Sequence, residues 1–287
     1  MVAITPVDGP FGVEVSGLDL ARGADEATMR ELVAALHENR FMVIRGQSLD
    51  RDQFLAFGRH WGEPIPHVLD HLRMPGYPGM MAIGNTGKTA DREEIRNGAA
   101  FWHTDQSYEA EPSSATLLYS IKAPEVGGDT LIADMFAAYD ELDDYGKAGI
   151  EDLQVRHLYG AASGRDGETI AAPIINDEQA AKVPVVTHPL VRGHPVTGRK
   201  ALYSVAGTPC GIEGMDQDAA EALLGKLKAH ALQEKFIYRH KYAAGDVVIW
   251  DTSATLHSGT KIDAATGESD SRLLWRISVR GRPKVCH

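Results

Sequence analysis

Three short β-strands are predicted by residues 235–258, which read KFIYRHKYAAGDVVIWDTSATLHS. Apolar and β-branched residues dominate 235–241, 246–250 and 254–258, and Gly245 supplies a turn between the first two runs. The same pattern of short strands extends through most of the chain. Further strands are predicted at 41–45, 101–106, 115–122, 129–132, 154–159, 184–190, 201–205 and 272–280.

A small number of helices interrupts these strands. Residues 25–39 repeat apolar side chains with helical spacing, and Asp25 is placed to cap this helix. A second helix begins near Asp50, and others are predicted at 134–144 and 216–232. Many short strands with few helices favour a mainly β fold, a β-sandwich or jelly roll with helices packed outside.

Length and composition favour a single domain over residues 1–287. Hydrophobic residues make up 43% of the chain, which is enough to form one large core. Two stretches rich in polar residues, glycine or proline, near 62–100 and 160–182, are predicted to be mobile loops. One strand, at residues 80–83, is predicted to interrupt the first.

Charge and composition argue against several classes of partner. The formal net charge is −11 and no long run of Lys and Arg occurs, so we expect no nucleic-acid partner. No apolar run approaches the roughly 18 residues of a membrane span, and the N-terminus lacks the features of a secretory signal. We therefore expect no membrane association and a cytoplasmic location. Cys210 and Cys286 are expected to remain unpaired thiols.

The segment FWHTD at 101–105 combines two metal-binding residue types. In a strand, residues two apart project from the same face, so His103 and Asp105 are expected to reach one point. His257, in the predicted strand 254–258, is the candidate third ligand. Two histidines and a carboxylate form the facial triad of non-haem Fe(II) oxygenases, which leaves coordination positions open. On the residues alone, two alternatives remain: a chance His-x-Asp spacing, and a Zn²⁺ site with the same ligands.

Over nearly its whole length, the sequence resembles the taurine dioxygenase and aryloxyacetate dioxygenase family of 2-oxoglutarate enzymes. Seven blocks follow the order found in that family. They are FGVEVSGLDL (11–20), VIRGQ (43–47), FGRHWG (57–62), WHTD (102–105), GGDT (127–130), YRH (238–240) and GD (245–246) leading into WD (250–251). The resemblance implies a double-stranded β-helix, a cupin-like jelly roll with flanking helices. It also implies that His103, Asp105 and His257 are iron ligands.

The resemblance further implies residues that bind two organic ligands. Thr130 and Arg272 match the pair that holds the distal carboxylate of 2-oxoglutarate, and a guanidinium can give such a group two parallel hydrogen bonds. Arg276 matches the position that binds an anionic substrate head group, and His67 resembles a substrate-contacting histidine. Taken alone, Thr130 is also typical of a turn and Arg272 of an exposed surface.

The sequence departs from the family pattern beside the distal histidine. Asn and Arg usually follow the WD block, and another Arg commonly follows the histidine, but this chain has Thr252, Ser253 and Ser258 there. Because of these replacements, the resemblance does not identify the substrate.

The resemblance thus implies an Fe(II)- and 2-oxoglutarate-dependent dioxygenase that uses O₂ to hydroxylate a C–H bond of a small organic carboxylate or sulfonate. C–O or C–S cleavage would follow where the hydroxylated carbon carries a heteroatom. One alternative is an oxygenase of a specialised biosynthetic pathway that acts on a larger or less charged substrate. Another is a non-catalytic metal-binding barrel or zinc hydrolase. Because members of this family often self-associate, we also expect a homo-oligomer.

Overall fold

The computed structural model describes residues 2–87, 92–160 and 177–286. Its strands are β1 (Ala3–Pro6), β2 (Val13–Ser16), β3 (Phe41–Ile44), β4 (Glu63–Pro64), β5 (Arg73–Met74), β6 (Tyr77–Gly84), β7 (Ala115–Lys122), β8 (Thr130–Asp134), β9 (Gln154–His157), β10 (Val186–Pro189), β11 (Val191–Gly193), β12 (Lys200–Leu202), β13 (Pro209–Ile212), β14 (Ile237–His240), β15 (Val247–Asp251), β16 (Thr255–Gly259) and β17 (Leu273–Arg280). Its α-helices are α1 (Glu26–Asn39), α2 (Arg51–Trp61), α3 (Glu93–Arg96), α4 (Met135–Asp140), α5 (Asp144–Ile150), α6 (Asp177–Lys182) and α7 (Gln217–Ala231). Within these residues, no helix has the length and apolar character that crossing a membrane requires.

Two sheets pack face to face. The larger has the strand order β1-β2-β3-β15-β7-β17-β6-β5, with β4 also paired to β17, and the smaller has the order β14-β8-β16. Neighbouring strands of both run antiparallel, apart from the parallel pair β2 and β3. Phe41, Val248 and Leu274 of the larger sheet meet Ile132 and Tyr238 of the smaller one in a single apolar cluster. This arrangement confirms the predicted jelly roll.

Helices α1 and α2 cover the outer face of the larger sheet. Asp25 and Asp50 cap them as predicted, and Asp50 is part of a complete capping box. Trp61 of α2 is fully buried in the same cluster as Ile277 of β17. Truncating a buried aromatic side chain of this kind costs about 3–5 kcal/mol. The packing therefore fixes β17, which carries Arg276, against the helical layer.

A second layer of helices flanks the smaller sheet. Phe136 of α4 and Leu224 of α7 share an apolar cluster with Leu256 of β16. The same cluster includes Val155 of β9, which belongs to the three-stranded sheet β10-β9-β13. Helices therefore pack outside both sheets, as the sequence pattern predicted.

Two predicted elements are wrong. Residues 101–106 do not form a strand, because only His103 makes an isolated bridge and a turn begins at Asp105. Residues 134–144 do not form one helix, because the chain turns after α4 and Asp143 caps a separate helix, α5.

The segment 62–100, predicted to be mostly loop, contains the eight-residue strand β6. Its glycine residues mark close strand contacts as well as turns: a Cβ on Gly84 would lie 2.2 Å from the carbonyl oxygen of Arg272. In the second predicted loop, residues 177–182 form α6, and residues 161–176 lie outside the described part of the chain. The mobility of both segments stays a prediction.

Candidate metal centre and its cavity

His103, Asp105 and His257 converge on one point. The backbones of the two histidines form the isolated bridge, in which each amide nitrogen donates to the other's carbonyl oxygen at 2.9 Å. Their imidazole rings consequently lie side by side, with centroids 4.2 Å apart. Asp105 faces both: Oδ1 is 3.7 Å from Nε2 of His103, and Oδ2 is 3.6 Å from Nε2 of His257. The three side chains could hold one cation between them.

Asp105 reaches the histidines from a turn and not from a strand. Gln106 has a φ of 50°, in the left-handed region that few residues other than glycine adopt. The hydroxyl of Ser107 donates to the carbonyl of Thr104 at 3.0 Å, which stabilises the turn. The His103 and Asp105 side chains do lie close together, as predicted. The predicted cause, the alternation of side chains along a strand, is wrong.

Hydrogen bonding sets the tautomer of His103. Its Nδ1 lies 2.8 Å from the carbonyl oxygen of Phe101, which can only accept, so Nδ1 carries the proton and Nε2 presents a lone pair to Asp105. Metal-binding histidines characteristically donate their second ring nitrogen in this way. Gly207 packs on the same residue: it has a φ of 90°, and a Cβ there would lie 2.7 Å from Cβ of His103. A side chain at 207 would therefore displace His103.

The charges of the group suit a divalent cation. Nη2 of Arg276 donates to Oδ1 of Asp105 at 2.5 Å, and the Thr116 hydroxyl donates to Oδ2 at 2.6 Å. Burial opposes ionisation of this carboxyl, but the charge of Arg276 and the hydrogen bond from Thr116 favour the ionised form, and the pKa of Asp105 lies well below its ordinary value. Burial lowers the pKa of His257 to about 3. The donor set is therefore one carboxylate and two neutral imidazoles.

A second buried group of similar composition, His37, His194 and Asp251, is different in its hydrogen bonding. Nδ1 of His194 accepts from the backbone nitrogens of Val196 at 3.3 Å and Thr197 at 3.1 Å. The ring proton of His194 is therefore on Nε2, which lies 2.8 Å from Oδ2 of Asp251. A metal would need that nitrogen unprotonated. We interpret this group as a structural His–Asp contact.

Arg272 lies buried without a counter-ion. It is 7% exposed and forms no salt bridge with any described residue, and its Nε has no hydrogen-bond partner. Gly128, with a φ of 69°, makes room for it, since a Cβ there would lie 2.9 Å from Cδ of Arg272. The reading of Arg272 as a surface residue is thus wrong. A buried guanidinium in this state favours an anionic ligand.

All seven of the predicted site residues line one cavity of about 200 Å³. Its lining includes His67, His103, Asp105, Thr130, His257, Arg272 and Arg276. Phe101 and Tyr108 also line it. Trp102 packs against the apolar cluster of α4 and α7.

Hydrogen bonding defines which donor atoms remain on Arg276 and His67, the two residues predicted to contact the substrate. Arg276 donates from Nε and Nη2 to Ser278, and from Nη2 to Asp105, while its Nη1 makes no hydrogen bond to a described residue. Nδ1 of His67 accepts from the backbone nitrogen of Leu69 at 3.1 Å, so the ring proton is on Nε2. Burial and the nearby Arg276 lower the pKa of His67 to about 3, which keeps the ring neutral.

Sequence reasoning did not identify three residues that orient this site: Thr116, Ser278 and Tyr242. Thr116 and Ser278 are opposite each other on β7 and β17, with hydroxyl oxygens 3.1 Å apart. Tyr242 follows β14, and its hydroxyl lies 2.9 Å from Oγ1 of Thr130. The available signal was weak: Thr116 is a polar residue within the apolar strand ATLLYSIK, and a polar side chain in such a place needs a partner.

The chain matches the family model described as "Taurine catabolism dioxygenase TauD, TfdA family" over residues 3–278. It is 34% identical over 285 residues to the (S)-phenoxypropionate/alpha-ketoglutarate-dioxygenase of Sphingobium herbicidovorans, covering 98% of this chain and 95% of that protein. It is 32% identical to the alpha-ketoglutarate-dependent 2,4-dichlorophenoxyacetate dioxygenase of a Burkholderia species, covering 95% and 92%.

Solved structures are similar over the same extent. The crystal structure of AAD-2 in complex with Mn(II) and N-oxalylglycine superposes with a TM-score of 0.81 at 31% identity. The match covers 98% of this chain and 97% of that one. The likeness therefore extends over the two sheets and the flanking helices.

Proposed function

The chain belongs to the TauD/TfdA family of dioxygenases, and on that premise we propose that His103, Asp105 and His257 hold its catalytic iron. The chain is a 2-oxoglutarate-dependent dioxygenase that acts on small organic molecules. A bound ferrous ion supplies the redox chemistry by which O₂, 2-oxoglutarate and a substrate C–H bond give succinate, CO₂ and a hydroxylated product. The single observation that carries the assignment is that this donor set and the buried guanidinium of Arg272 line the same cavity.

We propose that Arg272 and Thr130 bind the distal carboxylate of 2-oxoglutarate. Arg272 supplies a planar, permanently charged donor, and Thr130 supplies a hydroxyl in the same cavity. Because Arg272 is buried and no residue of the described ranges forms a salt bridge with it, the carboxylate would neutralise its charge. These two residues would orient the co-substrate towards the metal ligands.

For the primary substrate, we propose a small carboxylate or sulfonate, with C–O or C–S cleavage where the hydroxylated carbon bears oxygen or sulfur. Arg276 lines the cavity and anchors Asp105 through Nη2, while its Nη1 has no hydrogen bond to a described residue. His67 adds a neutral donor through Nε2. A guanidinium with one free edge and a nearby imidazole N–H can bind an anionic head group while Asp105 stays in position.

A second candidate is a larger or less charged substrate of a specialised biosynthetic pathway. It is supported by Ser253 and Ser258, which are both buried and stand where the family usually has basic residues. Arg276→Ala separates the two: a KM that rises sharply only for anionic substrates supports the first candidate, and equal changes in KM for anionic and neutral substrates support the second, because loss of the contact to Asp105 affects both kinds alike.

The test is succinate formation by the iron-loaded enzyme with a panel of sulfonates, aryloxy acids, fatty acids and amino acids. We expect at least one to give succinate and hydroxylated product in equal amounts, and His103→Ala to abolish both. His37→Asn, in the second histidine group, should retain turnover. Substrate-dependent turnover that survives His103→Ala would contradict the assignment.

We also propose that the enzyme is a cytoplasmic homo-oligomer that binds neither nucleic acid nor membrane. The net charge of −11 and the two unpaired cysteines support this environment. The oligomeric state rests on the family resemblance. Analytical ultracentrifugation tests it, and a monomer at micromolar concentration would contradict it.

A further inference from the structure

We propose that Tyr242 positions the hydroxyl of Thr130 to bind the distal carboxylate of 2-oxoglutarate. The inference rests on the function proposed above for Thr130 and Arg272. It extends that function to a residue behind the binding surface, because Tyr242 is not among the described residues that line the cavity. Tyr242 would therefore act on the ligand only through its neighbours.

Tyr242 touches both members of the proposed carboxylate site. It is buried, and its hydroxyl oxygen lies 2.9 Å from Oγ1 of Thr130. The guanidinium carbon of Arg272 lies 5.7 Å from the centroid of its ring, within cation–π distance. One side chain thus joins the hydroxyl and the cation that would bind the same anion.

The direction of the hydrogen bond between the two hydroxyls decides what Thr130 can do. A carboxylate only accepts hydrogen bonds, so Thr130 is useful only if its own proton is free. A phenol is more acidic than an aliphatic alcohol and is the better donor, so Tyr242 donates to Thr130. The Thr130 proton is then available to the cavity. Burial raises the pKa of Tyr242 to about 12, despite the opposing effect of Arg272, so the phenol keeps the proton that it donates.

A hydroxyl whose orientation is already fixed binds a carboxylate more tightly than one that rotates freely. An unrestrained hydroxyl rotates among several positions, and ordering it when the ligand binds costs free energy. With one lone pair of Thr130 occupied by Tyr242, fewer rotor positions remain. The site is thereby organised before 2-oxoglutarate arrives.

The substitution Tyr242→Phe tests this role, because it removes the hydroxyl and keeps the ring beside Arg272. Calorimetric titration of the Mn(II)-loaded protein would measure Kd for 2-oxoglutarate and for 2-oxopentanoate, which lacks the distal carboxylate. We expect Tyr242→Phe to raise Kd for 2-oxoglutarate about 3- to 10-fold, the loss typical of one hydrogen bond. Kd for 2-oxopentanoate should not change, and in steady-state assays KM for 2-oxoglutarate should rise while kcat does not.

Two further variants make the result specific. In a Thr130→Val background, Tyr242→Phe should have no additional effect, because Tyr242 acts through the hydroxyl that is already absent. Tyr119→Phe is the matched control: its buried hydroxyl donates to the carbonyl of Gln47 and does not contact this site. Equal weakening of both ligands by Tyr242→Phe, or no weakening of either, would overturn the inference. If the unsubstituted protein binds both ligands equally, the proposed role of Arg272 and Thr130 has failed instead.

Discussion

Asp105 is oriented by residues from two different strands. Thr116 of β7 donates to one carboxylate oxygen, and Arg276 of β17 donates to the other. The hydroxyl of Ser278 links these donors, since it accepts from Arg276 and lies 3.1 Å from Oγ1 of Thr116. Thr116 has a single proton and gives it to the carboxylate, so Ser278 is the donor between the two hydroxyls. The carboxylate of Asp105 is thereby held at both oxygens.

The role of Thr116 gives a prediction about metal affinity. Thr116→Val keeps the shape of the side chain and removes the donor to Asp105. Partners that orient a metal ligand typically contribute 10- to 100-fold to metal affinity or activity, and we expect a loss of about 10-fold in Fe(II) affinity. Anaerobic equilibrium dialysis measures it.

Ser120→Ala is the control for that experiment. Ser120 lies on the same strand and is fully buried, and its hydroxyl makes no hydrogen bond to any residue that the structure describes. Its substitution should leave Fe(II) affinity unchanged. Equal Fe(II) affinities for Thr116→Val and the unsubstituted protein would show that the hydrogen bond to Asp105 does not support the metal.

At the scale of secondary-structure elements, regular spacing and capping chemistry were predictable. Asp25 and Asp50 begin α1 and α2 where the sequence predicted, because a side-chain oxygen accepting from the first turn is a local feature. The strands of 235–258 were found for the same reason, since alternation and a turn at Gly245 are readable over a few residues.

Elements set by distant contacts were not predictable. The segment 101–106 has the composition of a strand, yet it forms a turn that is held by contacts with other parts of the chain. His103 bridges to His257, and the loop at Gly207 packs against it. The strand β6 was predicted only over residues 80–83, because the glycines at its ends resemble loop residues, whereas Gly84 allows the backbone of Arg272 to approach closely. The contact of Tyr242 was not predictable for the same reason, since its partner Thr130 lies 112 residues away in the chain.

At the scale of the whole molecule, buried histidines link stability to pH. His157 is fully buried, and its Nδ1 lies 2.8 Å from the hydroxyl oxygen of Thr208. Burial, with a further contribution from His188, lowers the pKa of His157 to about 3 in the folded chain. In the unfolded chain the ring takes up a proton near its ordinary pKa of about 6.5. Between these values the unfolded state binds more protons, so stability falls as the pH falls.

The size of the effect follows from the difference between the pKa of His157 in the folded chain and in the unfolded chain. Between about pH 8 and about pH 5, His157 alone should remove about 2 kcal/mol from the free energy of unfolding. A His157→Gln variant, which cannot titrate there, should be less stable at the higher pH and should lose correspondingly less stability on acidification. Urea denaturation of the two proteins at both pH values measures the difference. Identical pH dependence would mean that His157 takes up a proton without unfolding.

The central claim is that His103, Asp105 and His257, and not the similar group at His37, His194 and Asp251, hold the metal. Anomalous diffraction at the iron absorption edge, from crystals grown anaerobically with Fe(II), tests it most directly. We predict one strong peak between Nε2 of His103, Nε2 of His257 and a carboxylate oxygen of Asp105. A peak at the second group with none at the first, or no protein-bound iron peak at all, would contradict the account.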